Sequence, residues 1–354
     1  MLQPAFVFRG HQAAVNSVCF FGGDRFLVSG DQDGHLIVWN MMLKRQLAKA
    51  ASAHAAAILT VCGLGSDTVI SQGRDNKLCV WRLEASEFTG DLHLVRSLHI
   101  DSLSFCKFTY SMSSWIAFLT DAGAGTACLL NVRSNEQRTL DIGLKSRTKS
   151  AGSRDDSPMC LKLIASDEQA TGLSLLVGYE STTLQQFDVA NEAAVCQRSV
   201  STGHSEPIMS LDYDSQRRLV YTCSADNQVH CFAPGDGSTG FDQVATAKLK
   251  NPGCAEIRCF SQLVAVAGWD YAVHLFTSDL EPLCNIAFHR AALTSIDMSS
   301  MTAKDGAENA ITDEYVRQRW NSRNRWMAVA SRDTRISLWD VEKTLNPHAH
   351  DAQG

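Results

Sequence analysis

Short apolar runs broken by glycine, asparagine and aspartate recur along most of the chain. In the first such stretch Val15 to Phe21 runs apolar or alternates, Gly22-Gly23-Asp24 supplies a turn, and Phe26 to Ser29 follows. Asp33-Gly34 then turns the chain again into Leu36 to Trp39. The second stretch keeps the order: Ile58 to Cys62, Val69 to Ser71, Asp75-Asn76, Leu78 to Trp81. Period-two or continuous apolar runs bounded by turn residues predict strands, and stripes at helical spacing are nearly absent. The pattern predicts an all-β chain.

The stretches end in similar phrases. Asp33 precedes Trp39 by six residues, and the same offset joins Asp75 to Trp81, Asp226 to Phe232, Asp270 to Phe276 and Asp333 to Trp339. Aligned on the aromatic position, Trp39, Trp81, Leu130, Phe187, Phe232, Phe276 and Trp339 mark seven units, spaced by 42, 49, 57, 45, 44 and 63 residues. Short β-units repeated at this period are the mark of a β-propeller, so the expected fold is a single seven-bladed propeller. It spans residues 5–343, with its clearest repeats at 10–40, 53–83, 203–233, 253–277 and 288–341. The third unit is the weakest, because Ala124 and Leu130 stand in for the aspartate and the aromatic. Ala5 to Phe8 is expected to complete the last blade, beside Ile336 to Val341, and so to close the ring and remove its free edges. Two insertions break the period: a basic loop at 143–157, expected to be mobile, and residues 301–325, in which Ala307 to Trp320 could form a helix. Residues 344–354 form a tail.

Composition narrows the function classes. Of 354 residues 45% are hydrophobic and 20% charged, as in an ordinary globular protein. A net charge of −6 argues against a surface devoted to gripping nucleic acid. No apolar run is long enough for a membrane span, and Met1 to His11 lacks the layout of a signal peptide, so an intracellular chain is expected. The 12 cysteines form no Cys-x-x-Cys pair and mostly sit in apolar runs. They are expected to be reduced core residues, with no metal and no cofactor.

Several constellations resemble catalytic chemistry. His11, Ser29 and Asp33 recur as His54, Ser71 and Asp75, and again as His204, Thr222 and Asp226. A hydrolase needs its triad once, whereas a hydrogen-bonded staple is needed in every blade. Together with Trp39, Trp81 and Phe232 these residues are therefore expected to be structural tetrads. Nucleotide-binding and zinc-protease motifs are absent, and no enzyme is expected. The residue before each turn aspartate should face the mouth of the propeller's narrow side. Gln32, Arg74, Trp269 and Arg332, with Glu180 in the degenerate fourth unit, are thus the candidate partner contacts. The stretch Arg317 to Trp326, with four arginines and two tryptophans, is the one nucleic-acid candidate, although Trp326 also opens an apolar strand.

Longer phrases carry a resemblance: Phe6-Val-Phe-Arg-Gly-His11, Ser71-Gln-Gly-Arg-Asp75, Pro158-Met-Cys-Leu161, Gly178-Tyr-Glu180, Asn251-Pro-Gly253, Ala267-Gly-Trp-Asp270 and Ala287-Phe-His289. In this order they resemble the WD-repeat family of ASTRA-associated protein 1, whose animal relatives are called guanine nucleotide-binding protein subunit beta-like proteins. The resemblance runs from Phe6 to Val341. It implies a nuclear, non-catalytic subunit acting in chromatin regulation and in assembly or stability of phosphatidylinositol-3-kinase-related kinases. The partners it implies are Tel and Tti cochaperone proteins, Rvb-type AAA+ ATPases and a kinase-related coactivator scaffold. The alternatives are a G-protein β-like signalling propeller and, less favoured, a nucleic-acid-binding propeller. A G-protein β subunit would open with a long helix, whereas here the first blade is expected within about ten residues of Met1.

Overall fold

A computed structural model describes residues 2–346 except 87, 101–103, 112–113, 122, 124, 144–155, 166–171, 192, 236–239 and 300–324. Most of the basic loop, the unit-seven insertion with its expected helix, and most of the tail lie outside the described residues.

Strand β1 is Phe6–Arg9. Sheet one is β2 Val15–Phe21, β3 Phe26–Asp31, β4 Leu36–Asn40 and β5 Arg45–Ala50; sheet two is β6 Ile58–Leu64, β7 Thr68–Gly73, β8 Lys77–Ala85 and β9 Gly90–His99. Sheet three is β10 Thr109–Tyr110, β11 Trp115–Asp121, β12 Thr126–Asn131 and β13 Gln137–Asp141; sheet four is β14 Pro158–Ala165, β15 Leu173–Tyr179, β16 Thr183–Asp188 and β17 Val195–Ser201. Sheet five is β18 Ile208–Asp214, β19 Leu219–Ser224, β20 Gln228–Pro234 and β21 Phe241–Lys248; sheet six is β22 Cys254–Phe260, β23 Leu263–Gly268, β24 Ala272–Thr277 and β25 Pro282–Ala287. Sheet seven combines β26 Leu293–Met298, β27 Trp326–Ser331 and β28 Arg335–Asp340 with β1, in the order β1-β28-β27-β26. Seven four-stranded sheets of sequential strands make the fold a seven-bladed β-propeller. The one described helix, α1, is Val341–Leu345.

The chain divides into two compact units: Met1–Leu98 with Tyr271–His274 and Leu283–Gly354, and His99–Asp270 with Leu275–Pro282. In the first, β1 pairs antiparallel with β28, Phe6 opposite Leu338 and Arg9 opposite Arg335. The N-terminal strand thus completes the last sheet, as expected, and covers an edge that would otherwise recruit other chains. Phe8, Val18, Leu27, Trp39, Ala328 and Leu338 bury a common core between sheets seven and one. In the second unit Leu129, Leu140, Leu163, Leu175 and Tyr179 do the same for sheets three and four, and Tyr221, Cys231, Ile257, Val266 and Phe276 for sheets five and six. Burial of this kind stabilises by roughly 25 cal/mol per Å² of apolar surface.

Position within a sheet decides how each strand reads. The middle strands β3, β4, β23 and β24 are buried along almost their whole length, which is why their sequences are continuous apolar runs. Outer strands β9, β17, β21 and β25 are half-buried to exposed. All twelve cysteines are free thiols, nine of them buried. Burial pushes Cys128 up to about 11 and Cys231 up to about 12, which keeps both protonated and unreactive.

Candidate functional site

The histidine, hydroxyl, carboxylate and indole sets come together inside individual sheets. In sheet two His54 sits in the loop before β6, and its Nδ1 lies 2.8 Å from Asp75 Oδ1 in the β7–β8 turn. Its Nε2 lies 2.7 Å from Ser71 Oγ on β7, and Trp81 Nε1–H donates to the same oxygen at 2.9 Å. A carboxylate only accepts, so Nδ1 carries the proton; in the neutral ring Nε2 then accepts from the serine hydroxyl. Gly73 makes room for this, since a Cβ there would fall 2.3 Å from His54 Nδ1 and 2.5 Å from Asp75 Oδ1.

Sheet one corrects the sequence reading. The carboxylate is Asp31, at the end of β3, and not Asp33: His11 Nδ1 lies 2.6 Å from Asp31 Oδ2, and Asp31 Oδ1 accepts from the amides of Asp33 and His35. Asp33, two residues further along, is exposed in the turn. His11 Nε2 meets Ser29 Oγ at 2.7 Å, and Trp39 Nε1–H donates to that hydroxyl at 2.8 Å. Burial pushes the Asp31 carboxyl up, but hydrogen bonds from His11 and the His35 amide outweigh it and bring the group down to about 2. Burial is likewise outweighed at Asp75, by the Ala55 amide and His54, and at Asp333, by His289, so both are held below the usual carboxylate range.

Sheet five departs in its fourth member. His204 meets Asp226 Oδ2 at 3.0 Å and Thr222 Oγ1 at 3.0 Å. Phe232 has no N–H to give and packs in the apolar core instead. The second ring on His204 is His230, stacked at 4.2 Å and 8° between planes, with Nδ1 2.7 Å from the Thr202 carbonyl. Burial, and for His204 also the neighbouring His230, lower both rings despite Asp226.

A fourth set, in sheet seven, escaped the sequence reading. His289 Nδ1 meets Asp333 Oδ2 at 2.9 Å, and Nε2 meets Ser337 Oγ at 2.8 Å, where Trp339 Nε1–H also donates. Here the hydroxyl comes from β28 and not from β27. Ser337 lies directly opposite Val329, just as Ile37 lies opposite Ser29 in sheet one. The serine and its apolar cross-strand partner have exchanged strands, and the hydroxyl has stayed in place.

A second network lies on the first strands of the sheets. Ser295 Oγ and Asp297 Oδ2 on β26 accept from the Val18 and Phe20 amides of β2 at 3.2 and 2.7 Å. Ser210 Oγ and Asp212 Oδ2 on β18 accept from the Ile257 and Cys259 amides of β22 at 3.3 and 2.8 Å. Ser17 on β2 and Thr109 on β10 do the same for Val61 and Leu163. The matching phrases Ser210-Leu-Asp212 and Ser295-Ile-Asp297 were the available signal.

As chemistry, the histidine sets have the order of a hydrolytic triad but not its access. Ser29, Ser71, Thr222 and Ser337 are each 0% exposed. Three of these hydroxyls also accept an indole N–H. A nucleophile has to reach its substrate. Among the described residues no group of three His, Cys, Asp or Glu side chains is placed to hold a metal ion.

The candidate contact residues are set by a different bond. In the first unit the amides of Gln32, Arg74 and Arg332 donate to Ala14, Ala57 and Ala292 carbonyls at 2.9, 2.8 and 3.0 Å. In the second, the amides of Glu180, Ala225 and Trp269 donate to Ser157, Pro207 and Gly253 carbonyls at 3.0, 3.3 and 3.0 Å. Each acceptor is the residue immediately before the first strand of its sheet. The bond fixes the turn, and all of these side chains except Ala225 are exposed. Trp269 is 41% exposed because its other face lies on Gly253, where a Cβ would fall 2.1 Å from the ring. Gly253 also holds a φ of +94°, which only glycine adopts without strain. Trp326, from the arginine-rich stretch, is half-buried against the core of sheets seven and one.

Comparison with known proteins agrees with the repeats. The WD domain, G-beta repeat model matches residues 2–40, 195–232 and 309–340. The chain is 30% identical to mouse guanine nucleotide-binding protein subunit beta-like protein 1, over 96% of each chain. It is 25% identical to ASTRA-associated protein 1 of Verticillium alfalfae, over 96% of this chain and 92% of the relative. The protein of that name in Schizosaccharomyces pombe is 26% identical, over 96% and 98%.

Proposed function

We propose that this chain, which belongs to the WD-repeat family of guanine nucleotide-binding protein subunit beta-like protein 1 and ASTRA-associated protein 1, is a non-catalytic scaffold of an ASTRA-type assembly. Its work is to hold partners in the nucleus, in chromatin regulation and in the assembly or stability of phosphatidylinositol-3-kinase-related kinases. The partners are Tel and Tti cochaperone proteins, Rvb-type AAA+ ATPases and a kinase-related coactivator scaffold. Full-length similarity to proteins named for ASTRA supports the assembly.

One observation carries the scaffold reading: the side chains that look reactive are sealed inside the sheets, while the turn residues beside them are fixed by a repeated backbone bond and exposed. Exposed arginine and tryptophan side chains carried on turns held by a backbone bond suit protein contacts, because the turn itself need not be ordered when a partner docks. Arg74, Arg332 and Trp269 are the leading contacts, with Gln32 and Glu180 beside their own turn aspartate or loop.

Affinity purification of the tagged chain with mass spectrometry tests the proposal. AAA+ ATPases and large kinase-like proteins are the expected companions. Recovery of a small coiled-coil γ-like chain in their place would move the assignment to a G-protein β-like signalling propeller. Salt-sensitive retention on DNA or RNA without those proteins would move it to nucleic-acid binding.

A further inference from the structure

Four arginines gather around one end of sheet seven. Arg332 and Arg335 flank Asp333 in the turn between β27 and β28, Arg290 follows His289 in the loop before β26, and Arg9 ends β1. Backbone bonds tie these pieces together. The Arg332 amide donates to the Ala292 carbonyl at 3.0 Å, and the Arg290 and Arg335 amides donate to Asp333 Oδ2 and Oδ1 at 3.2 and 3.1 Å. On the strands Arg9 lies directly opposite Arg335. Residues in that register share a face of the sheet, with Cβ atoms roughly 4.5–5.5 Å apart.

The carboxylate at this end is spent on the protein itself. Phe6 to Gly10, Ala287 to Ala292 and Ser331 to Arg335 hold four arginines and a single acid, Asp333. Asp333 Oδ2 also takes His289 Nδ1 at 2.9 Å. Burial raises its carboxyl, but His289 and the Arg290 and Arg335 amides outweigh burial and keep it ionised. Among the described residues, none of the four guanidinium groups has an ion-pair or hydrogen-bond partner. Arg9, Arg290 and Arg332 are exposed, and Arg335 is half-buried.

Two arginines directly opposite one another repel, which costs the sheet stability. A charge on the edge strand β1 guards against pairing with other chains, and this accounts for Arg9 by itself. It does not account for Arg335 on the neighbouring inner strand, nor for Arg290 and Arg332 in the loop and the turn. A ligand carrying several carboxylates would offset the repulsion and offer paired oxygens to each planar fork.

We propose that Arg9, Arg290, Arg332 and Arg335 form a docking site for an acidic segment of a protein partner, a short run of aspartate or glutamate. The chain carries a net charge of −6, so the rest of its surface repels a long polyanion such as nucleic acid. A patch confined to one turn, one loop and two adjacent strands suits a short acidic run instead. The site rests on the contact role given to Arg332 above and names the chemistry of what that residue meets.

Fluorescence anisotropy of a labelled oligoglutamate peptide, titrated with the intact chain at low ionic strength, tests the site. Saturable binding that fades as salt is raised, with none to a length-matched oligoglutamine peptide, is the expected result. Arg290→Gln/Arg332→Gln removes no hydrogen bond or ion pair among the described residues, so it should melt like the parent while binding the peptide at least about tenfold more weakly. Arg9→Gln should also weaken binding, yet melt no lower than the parent and slightly higher at low salt, since the opposed pair is gone. Absence of saturable peptide binding, undiminished affinity in both folded variants, or tighter binding of single-stranded DNA of equal charge would overturn the proposal. Partner recovery by affinity purification separates the two readings. Partners recovered without peptide binding would overturn the acidic site alone, whereas peptide binding by a chain that recovers no partner would count against the scaffold and not against the arginine site.

Discussion

Asp31 and Asp33 lie two positions apart in one turn, and only Asp31 touches a histidine. Replacing Asp31 with alanine leaves buried His11 and the Asp33 and His35 amides without their acceptor, which should cost about 1–3 kcal/mol. Asp33→Ala should be close to neutral in the same denaturant titration, since that carboxylate is exposed. Asp75→Ala should behave like Asp31→Ala, because it is the acceptor for His54 and the Ala55 amide. The aspartate offset that made the repeat visible was therefore right in sheet two and misleading in sheet one. Sequence spacing counts residues, whereas the network selects whichever carboxylate the turn buries.

Titration follows from the same contacts. Asp31, Asp75 and Asp333 bind protons less readily folded than unfolded, so their contribution is present above the ordinary carboxylate value of 3.8 and is lost as pH falls through the folded values, about 2 for Asp31. His204 and His230 are lowered from 6.5, so the unfolded chain protonates first. Their contribution is complete above about 6.5 and drains as pH falls below it. The melting temperature should thus decline as pH falls below about 6.5, before the carboxylates titrate, and His230→Leu should flatten that part of the curve. An identical slope in the variant would remove the stacked pair from the account.

At the scale of strands, burial explains what was legible. Middle strands such as β3 and β4 are buried along their whole length and open as apolar runs, so they were found with little error. Outer strands such as β9 and β17 expose most of their residues and carry too little apolar signal to be read. The histidine set of sheet seven was missed because its serine stands on β28, across from Val329, where a search along β27 does not look. Exchanging that pair tests the geometry. Ser337→Val alone should destabilise by about 1–3 kcal/mol, and adding Val329→Ser should recover part of the loss by returning a hydroxyl to His289 and Trp339. Strand β1 is the other element-level test. Deleting residues 1–9 exposes the β28 edge, so the truncated chain should melt lower and form larger species on size exclusion.

At the scale of the whole molecule, seven sheets repeat one plan while their turns differ in chemistry. The buried sets and the Ser-x-Asp acceptors join strands and neighbouring sheets, and the turn residues beside them present exposed side chains of differing chemistry. The number of blades was legible because six of the seven repeats carry an aromatic anchor and Leu130 keeps the place in the third, and the closing strand because Ala5 to Phe8 reads as a strand ahead of the first repeat. The contacts between first strands were not, since a serine accepting an amide from the next sheet looks like any other serine in a strand. Partner recovery per folded molecule for the Arg74→Ala/Arg332→Ala protein, measured by quantitative affinity purification beside the parent, tests the central claim most directly. The account predicts an unchanged melting curve with clear loss of co-purifying proteins; full recovery of every partner by that folded variant would contradict it.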